Sequence, residues 1–189
     1  GKPVIDNYWQ TETGWPILSL ARGIDASQQT KLGSPGIPML GYDVKLLNEQ
    51  TGEELTAPHQ KGVLTIEGPL PPGCMQTVWG DDQRFINTYW KSFGERLIYN
   101  TFDWAIKDED GYYFILGRTD DVINVAGHRL GTREIEEAIS RHPAVTEVAV
   151  VGVADTLKGQ VAKAFVVTNG VAQLDSDEAR HQLEADIMR

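Results

Sequence analysis

At residues 117–121, Gly-Arg-Thr-Asp-Asp, the hydrophobic rhythm of this chain changes, and the change limits the folds open to it. Upstream, apolar and polar residues roughly alternate over Gly41 to Asn48 and Gly62 to Gly68, with Asn48-Glu49-Gln50-Thr51-Gly52 as a turn region. Val4 to Gln10 is rich in β-branched and aromatic residues and runs into a polar Thr-Glu-Thr-Gly turn. Period-two patterns bounded by turn residues predict half-buried strands. Downstream, short apolar runs alternate with segments of helical spacing. A β-rich part followed by a mixed part predicts an α+β chain, with a boundary near Asp120 that separates residues 1–119 from residues 120–189.

Individual elements follow from local chemistry. A helix is predicted to start near Asp81 or Asp82, with Phe85, Ile86, Tyr89 and Trp90 sharing a face. Phe102 to Lys107 and Tyr112 to Leu116 flank Asp108-Glu109-Asp110-Gly111, which reads as a hairpin. Val122 to Val125 is a predicted strand, Ala126-Gly127 a turn, and Thr132 to His142 a helix carrying Ile135, Ala138 and Ile139 on one side. Pro143 cannot continue that helix. Two apolar runs follow, Val145 to Val151 and Val161 to Thr168. Asp175 to Glu178 has capping-box spacing for a last helix, in which Ala179, Leu183 and Ile187 recur every four residues. The chain opens without Met and closes inside this helical pattern, so it reads as part of something longer.

Charge and cysteine usage exclude several classes. With a net charge of −10 the surface repels a polyanion, and no nucleic-acid partner is expected. Cys74 alone builds no disulfide framework, no leader opens the chain, and no apolar stretch nears the roughly 20 residues a bilayer requires. No membrane association is expected, and a cytoplasmic location fits best. His59, His128, His142, His181 and Cys74 never fall at ligand spacing, so no zinc-type site is predicted. No GxxxxGK[ST] phosphate loop occurs.

The densest group of candidate functional residues lies between 101 and 134, where Asp103, Arg118, Asp120, Asp121 and Arg129 sit at strand ends and turns. Loops on a rigid scaffold concentrate function. The plainer reading makes these solvated turn charges or rim salt bridges. The order of sequence blocks decides against it. DNYWQTETG at 6–14, YNTFDW at 99–104, GYYFILGRTDDVINVAGHRLGTREIE at 111–136 and VVGVADTLKGQ at 150–160 together resemble the AMP-forming acyl-CoA synthetases of the adenylate-forming superfamily. Within it, DNYWQTETGWPI and GPLPPGCMQTVWGDD are most similar to the propionate-activating short-chain branch.

The resemblance implies a distorted, barrel-like β subdomain followed by part of the small C-terminal domain. It also implies a two-step ligase: ATP converts a short-chain acid, propionate first, to an acyl-adenylate, and the thiol of coenzyme A then takes the acyl group. Catalysis of this kind rests on positioning and on charges aimed at developing charge. ATP, AMP, coenzyme A and Mg²⁺ are the implied cofactors and substrates, and the remainder of its own chain the implied partner. An acetate-using relative and a non-catalytic interaction module that kept the fold are the alternatives.

The resemblance also assigns roles. Thr11 matches the threonine that contacts the adenylate phosphate and Glu12 the carboxylate that helps hold Mg²⁺; Trp9 matches the tryptophan that closes the acyl pocket. Asp103 matches the acceptor of the ribose hydroxyls and Arg118 the donor to ribose and phosphate oxygens, although the two can also be read as a salt bridge across the hairpin. Asp120 matches the hinge, and Gly127 and Arg129 fall in the loop that enters the active site for thioester formation. Arg129 serves either the nucleotide phosphate or the loop's conformation. Lys158, Gly159 and Gln160 are assigned only to a turn, and His128 to structure. Two departures stand out: Tyr8 replaces a second Trp of acetate-activating relatives, and Phe102 replaces a Gly common before the aspartate.

Overall fold

The computed structural model describes Lys2, residues 4–170 and residues 176–188. It divides into two compact units, Gly1–Leu116 and Gly117–Arg189.

In the first unit, β1 (Asn7–Tyr8), β2 (Leu18–Ser19) and β3 (Ile37–Pro38) form a small sheet in that order. A second sheet runs β4 (Asp43–Leu47), β5 (Gly62–Glu67), β6 (Ile98–Lys107), β7 (Tyr113–Arg118). An isolated bridge between Gly36 and Tyr113 joins the two. Among the described residues both sheets are open and no barrel closes, and the mixture of sheets and helices is the α+β class expected. The core gathers Ile17, Leu18, Val44, Leu46, Leu64, Ile66, Tyr99 and Tyr113, all buried. Each such aliphatic side chain contributes about 1.5–3 kcal/mol by leaving water. Thr65 also lies fully buried in β5 and donates its hydroxyl to the Lys45 carbonyl at 3.1 Å.

Of the strand predicted over Val4 to Gln10, only Asn7 and Tyr8 form a strand. The backbone leaves the ladder at Gln10, whose N–H donates to Thr13 Oγ1 at 3.1 Å and whose carbonyl accepts from Thr13 N at 3.0 Å. The helix α1 spans Asp82–Tyr89, and the Asp81 carboxylate caps it by accepting from Arg84 N at 2.9 Å. Phe85 is buried while Ile86 is 39% exposed. Trp90 falls at the C-cap instead of inside the helix, and its ring meets Tyr99 edge-on at 5.7 Å.

In the second unit the sheet order is β10-β11-β8-β9, with β8 (Val122–Val125), β9 (His128–Gly131), β10 (Val145–Asp155) and β11 (Gly159–Thr168). β10 and β11 form a long antiparallel hairpin from Val145↔Thr168 to Asp155↔Gly159. The helix α2 covers Thr132–Ser140 and stops two residues short of the predicted His142, where Arg141 caps it. Its Glu136 carboxylate accepts from Val150 N at 2.8 Å and ties it to β10. The last helix, α3, spans Asp177–Ile187 and is capped by Ser176, whose hydroxyl accepts from Ala179 N at 3.2 Å. The predicted capping residue Asp175 lies outside the described residues. Ala179, Leu183 and Ile187 form the half-buried face of α3 among exposed neighbours.

Candidate active site

The Thr-Glu-Thr-Gly block folds as a tight turn after β1. Thr13 is buried, and its Oγ1 lies 2.9 Å from Gln10 O and 3.1 Å from Trp15 O. Gly14 takes φ +62°, and a Cβ there would lie 3.2 Å from the Gly73 carbonyl, so glycine suits both the conformation and the space. The loop at Cys74 supports the turn from outside: Met75 N donates to Glu12 O at 2.6 Å, and the Cys74 thiol lies 3.6 Å from Thr13 O. Thr13 therefore spends its hydroxyl on the turn, while the Thr11 side is exposed. Trp9 is 56% exposed on the loop, which excludes it from the core.

Glu12 and Asp103 stand at the two ends of one hydrogen-bonded and stacked network. Tyr89 of α1 donates its hydroxyl to Glu12 Oε1 at 2.8 Å. The Tyr89 ring stacks on Tyr99 at 5.3 Å with the planes 1° apart. Tyr99 donates to Gln10 Oε1 at 3.1 Å, and the Gln10 amide donates in turn to Asp103 Oδ2 at 3.1 Å and to the Thr101 carbonyl at 2.7 Å. Tyr8 donates its phenol to the same Asp103 oxygen. Burial first, and the Asp103 charge second, push the Tyr8 phenol far above its ordinary pKa, so it remains a donor. Burial likewise raises Tyr99, with the Glu12 charge next in effect. Two carboxylates are thus fixed by aromatic hydroxyls and an amide.

A bulge in β6 aims Asp103. Leu64 pairs with Asp103, but Thr65 pairs with Asn100, so Thr101 and Phe102 are extra residues against β5. Thr101 donates its hydroxyl to Leu64 O at 2.6 Å, and Phe102 N donates to Asn100 Oδ1 at 2.8 Å. Phe102 holds φ +60°, a left-handed conformation that costs a bulky residue energy. That backbone requirement gives a physical reason for a glycine at this position. The Phe102 ring packs edge-on against Tyr89 at 6.1 Å.

In the second unit, Arg118 and Asp120 come together as a two-pronged pair, Nε to Oδ1 and Nη2 to Oδ2, both at 2.8 Å. The Arg118 hydrogen bonds hold the Asp120 carboxyl below its usual range. β8 and β9 are joined by a two-residue turn, Ala126 at φ +49° and Gly127 at φ +87°. Positive φ at both positions matches the twist of a tight hairpin. No heavy atom lies within 4 Å of where a Gly127 Cβ would stand. Arg129, exposed on β9, donates to the Thr119 carbonyl at 3.3 Å. Lys158 ends the turn from β10 into β11, whereas Gly159 and Gln160, expected in that turn, are the first residues of β11, where they pair with Asp155 and Ala154. That corner reaches the loop: Ala126 N donates to Lys158 O at 2.8 Å and Asn124 N to Gln160 Oε1 at 2.9 Å.

Both halves of the chain match known sequence profiles. "AMP-binding enzyme" covers residues 1–79 and "AMP-binding enzyme C-terminal domain" covers residues 134–189. The chain belongs to the AMP-binding enzymes. It is 65% identical over 186 residues to the propionate–CoA ligase of Escherichia coli, covering 98% of this chain and 29% of that protein. Identity to the propionate–CoA ligase of Salmonella typhimurium is 64% over 188 residues, 100% of this chain and 30% of that one. Among solved structures, an ATP-bound RpMatB-BxBclM chimera superposes with a TM-score of 0.78 at 26% identity, over 97% of this chain and 34% of the chimera. The chain thus spans about a third or less of the length of these relatives.

The resemblance assigns Glu12 to a magnesium nucleotide, and the Tyr89 hydroxyl holds that carboxylate in place. Among the described residues no group of three or more His, Cys, Asp or Glu gathers as a metal cage. A single positioned carboxylate such as Glu12 suffices for Mg²⁺, which takes its other ligands from phosphates and water. Sequence reasoning had not placed Gln10, Tyr89 or Tyr99 in the site. Tyr89 lies 77 positions from Glu12 and Tyr99 lies 89 from Gln10, so no local pattern connects them.

Proposed function

We propose that this chain forms part of an AMP-forming short-chain acyl-CoA synthetase, with propionate as its acid. The observation that carries this reading is the 65% identity to a propionate–CoA ligase across 98% of the chain. A carboxylate is a poor electrophile because oxide does not leave. The acid's oxygen therefore attacks the α-phosphorus of ATP, pyrophosphate departs, and an acyl-adenylate forms. The thiol of coenzyme A then attacks the acyl carbon, losing its proton, and AMP departs with the C–O bond electrons.

The residues divide between these steps. Asp103 accepts the ribose hydroxyls, its carboxylate held in place by Tyr8 and Gln10. Thr11 donates to the adenylate phosphate, and Glu12 holds Mg²⁺, which when bound supplies charge neutralisation at the phosphates. Arg118 donates to ribose and phosphate oxygens, and each such contact competes with its bond to Asp120. Asp120 is the hinge, and Gly127 and Arg129 belong to the loop that meets coenzyme A. Trp9 limits acid length. A cytoplasmic location completes the reading; no helix among the described residues is long and apolar enough to cross a membrane.

Assaying the full-length protein on acetate, propionate and butyrate tests it. The highest kcat/KM should fall on propionate. Trp9→Gly should move preference toward butyrate, each added methylene contributing about 0.8 kcal/mol of burial. An unchanged chain-length profile in folded Trp9→Gly protein removes Trp9 from the pocket.

A further inference from the structure

The β10–β11 corner, residues 155–160, has no role in the function just described, although it is bonded to the loop assigned to thioester formation. Asp155 Oδ1 accepts from Leu157 N at 2.9 Å and Lys158 N at 2.8 Å, closing a side-chain-stabilised turn. The Lys158 carbonyl, fixed by that turn, accepts from Ala126 N at 2.8 Å. Two residues on, Gln160 Oε1 accepts from Asn124 N at 2.9 Å, while Gly159 pairs with Val125. The β8 strand is therefore gripped at Asn124, Val125 and Ala126, the residues leading directly into Gly127. These contacts compensate for a loop whose own side chains are small and exposed: Ala126 offers only a methyl and Gly127 no side chain.

The Gln160 position is itself built into the sheet. A Cβ on Gly152 would lie 3.2 Å from Gln160 Nε2 and 3.3 Å from Ile123 Cγ2, so the glycine leaves room for the amide beside a buried isoleucine. An amide seated in this way presents its oxygen to one backbone N–H in a defined direction. A backbone donor that lacks its acceptor turns to water, and the strand end it belongs to loosens.

We propose that Gln160 is a positioning residue for the Ala126-Gly127 loop, with Asp155 holding the opposite side of the same grip. Gln160 acts through the Asn124 backbone and not on the substrate. The inference deepens the assignment of Gly127 to the thioester step and rests on it. Loss of the grip lets the loop sample conformations unfit to meet the pantetheine thiol, lowering the fraction competent for acyl transfer. Adenylation does not use the loop and is spared.

Four variants of the full-length protein test this: Gln160→Leu, Gln160→Glu, Gly127→Leu and Asp155→Ala. Gln160→Leu is expected to slow acyl-CoA formation by about tenfold while propionate-dependent pyrophosphate exchange stays within about twofold. Gln160→Glu keeps an acceptor oxygen and should restore most of the lost rate. In the 189-residue chain, hydrogen exchange at the Asn124 amide should accelerate in Gln160→Leu and return toward the parent value in Gln160→Glu. Asp155→Ala loosens the turn from the other side, and should give the same split if Gln160→Leu fails to fold. If Gly127→Leu blocks acyl transfer and folded Gln160→Leu does not, the positioning role is overturned while the loop assignment stands. If neither variant slows acyl transfer, the loop assignment falls and the inference falls with it.

Discussion

The two units hold their candidate residues by different means. In the first, Glu12 and Asp103 are fixed by side chains: three tyrosines and Gln10 connect them through a half-buried network, and Asp103 is only 7% exposed. In the second, the Ala126-Gly127 turn is held through backbone N–H groups that donate to the Lys158 carbonyl and the Gln160 amide, and its charged neighbours pair at the surface, with the Arg118 and Asp120 side chains 42% and 58% exposed. Buried, side-chain-held groups suit recognition that must be ready before the nucleotide arrives. A loop held by a few hydrogen bonds to its backbone suits a part that exchanges one arrangement for another. The difference fits a division of labour between nucleotide recognition and acyl transfer.

The largest expected effect belongs to the first unit. Asp103→Ala removes the acceptor shared by the Tyr8 hydroxyl and the Gln10 amide, which keeps only its bond to the Thr101 carbonyl, and a desolvated donor left unsatisfied costs about 1–3 kcal/mol. Denaturant unfolding should therefore show a loss of about 2–4 kcal/mol. Arg118→Ala, which breaks a half-exposed pair, should cost about 1 kcal/mol or less. Equal losses would erase the contrast between the units.

A smaller effect sharpens the picture of the β6 bulge. Because Phe102 holds φ +60°, Phe102→Gly and Phe102→Ala both lose the ring contact with Tyr89, but only the alanine keeps the strain. The glycine variant should be the more stable by about 1 kcal/mol, read from paired unfolding curves. An alanine variant as stable as the glycine one would remove strain from the description of the site.

The smallest effect is a pH dependence. Hydrogen bonds from Arg118 lower the Asp120 pKa below its unfolded value, so the pair stabilises the fold above the ordinary carboxylate pKa near 4. That stabilisation disappears as pH falls through the depressed folded value. With the Asp120 side chain 58% exposed, solvent screening limits it to about 0.5 kcal/mol. The acid limb of the stability curve should flatten slightly in Arg118→Ala; an identical limb would mean that the pair contributes nothing.

Much of the fold was legible because its signals are local. The Asp108-Glu109-Asp110-Gly111 turn, the Val122–Val125 strand and the start of α2 follow from alternation, turn residues and the change of period. The short strands β2 and β3 were not, because they exist through pairing with each other and with β1. β9 escaped because His-Arg-Leu-Gly carries no alternating pattern, and its pairing comes from the Ala126-Gly127 turn. In the candidate site, Asp103, Glu12 and Arg118 were visible through the order of the sequence blocks. Their supports were not: Tyr8 meets Asp103 across 95 positions, and the bulge that aims Asp103 shows only in the register of β5 and β6.

The most direct test measures the two half-reactions separately in full-length Asp103→Ala and Gly127→Leu protein, with folding checked by melting temperature. Asp103→Ala should lose pyrophosphate exchange by about a hundredfold or more, since nucleotide recognition fails before any acyl group is activated. Gly127→Leu should keep exchange near the parent rate and lose acyl-CoA formation, because a side chain then stands on the loop proposed to meet coenzyme A. Equal losses of both half-reactions in each folded variant would contradict the division of labour between the two units.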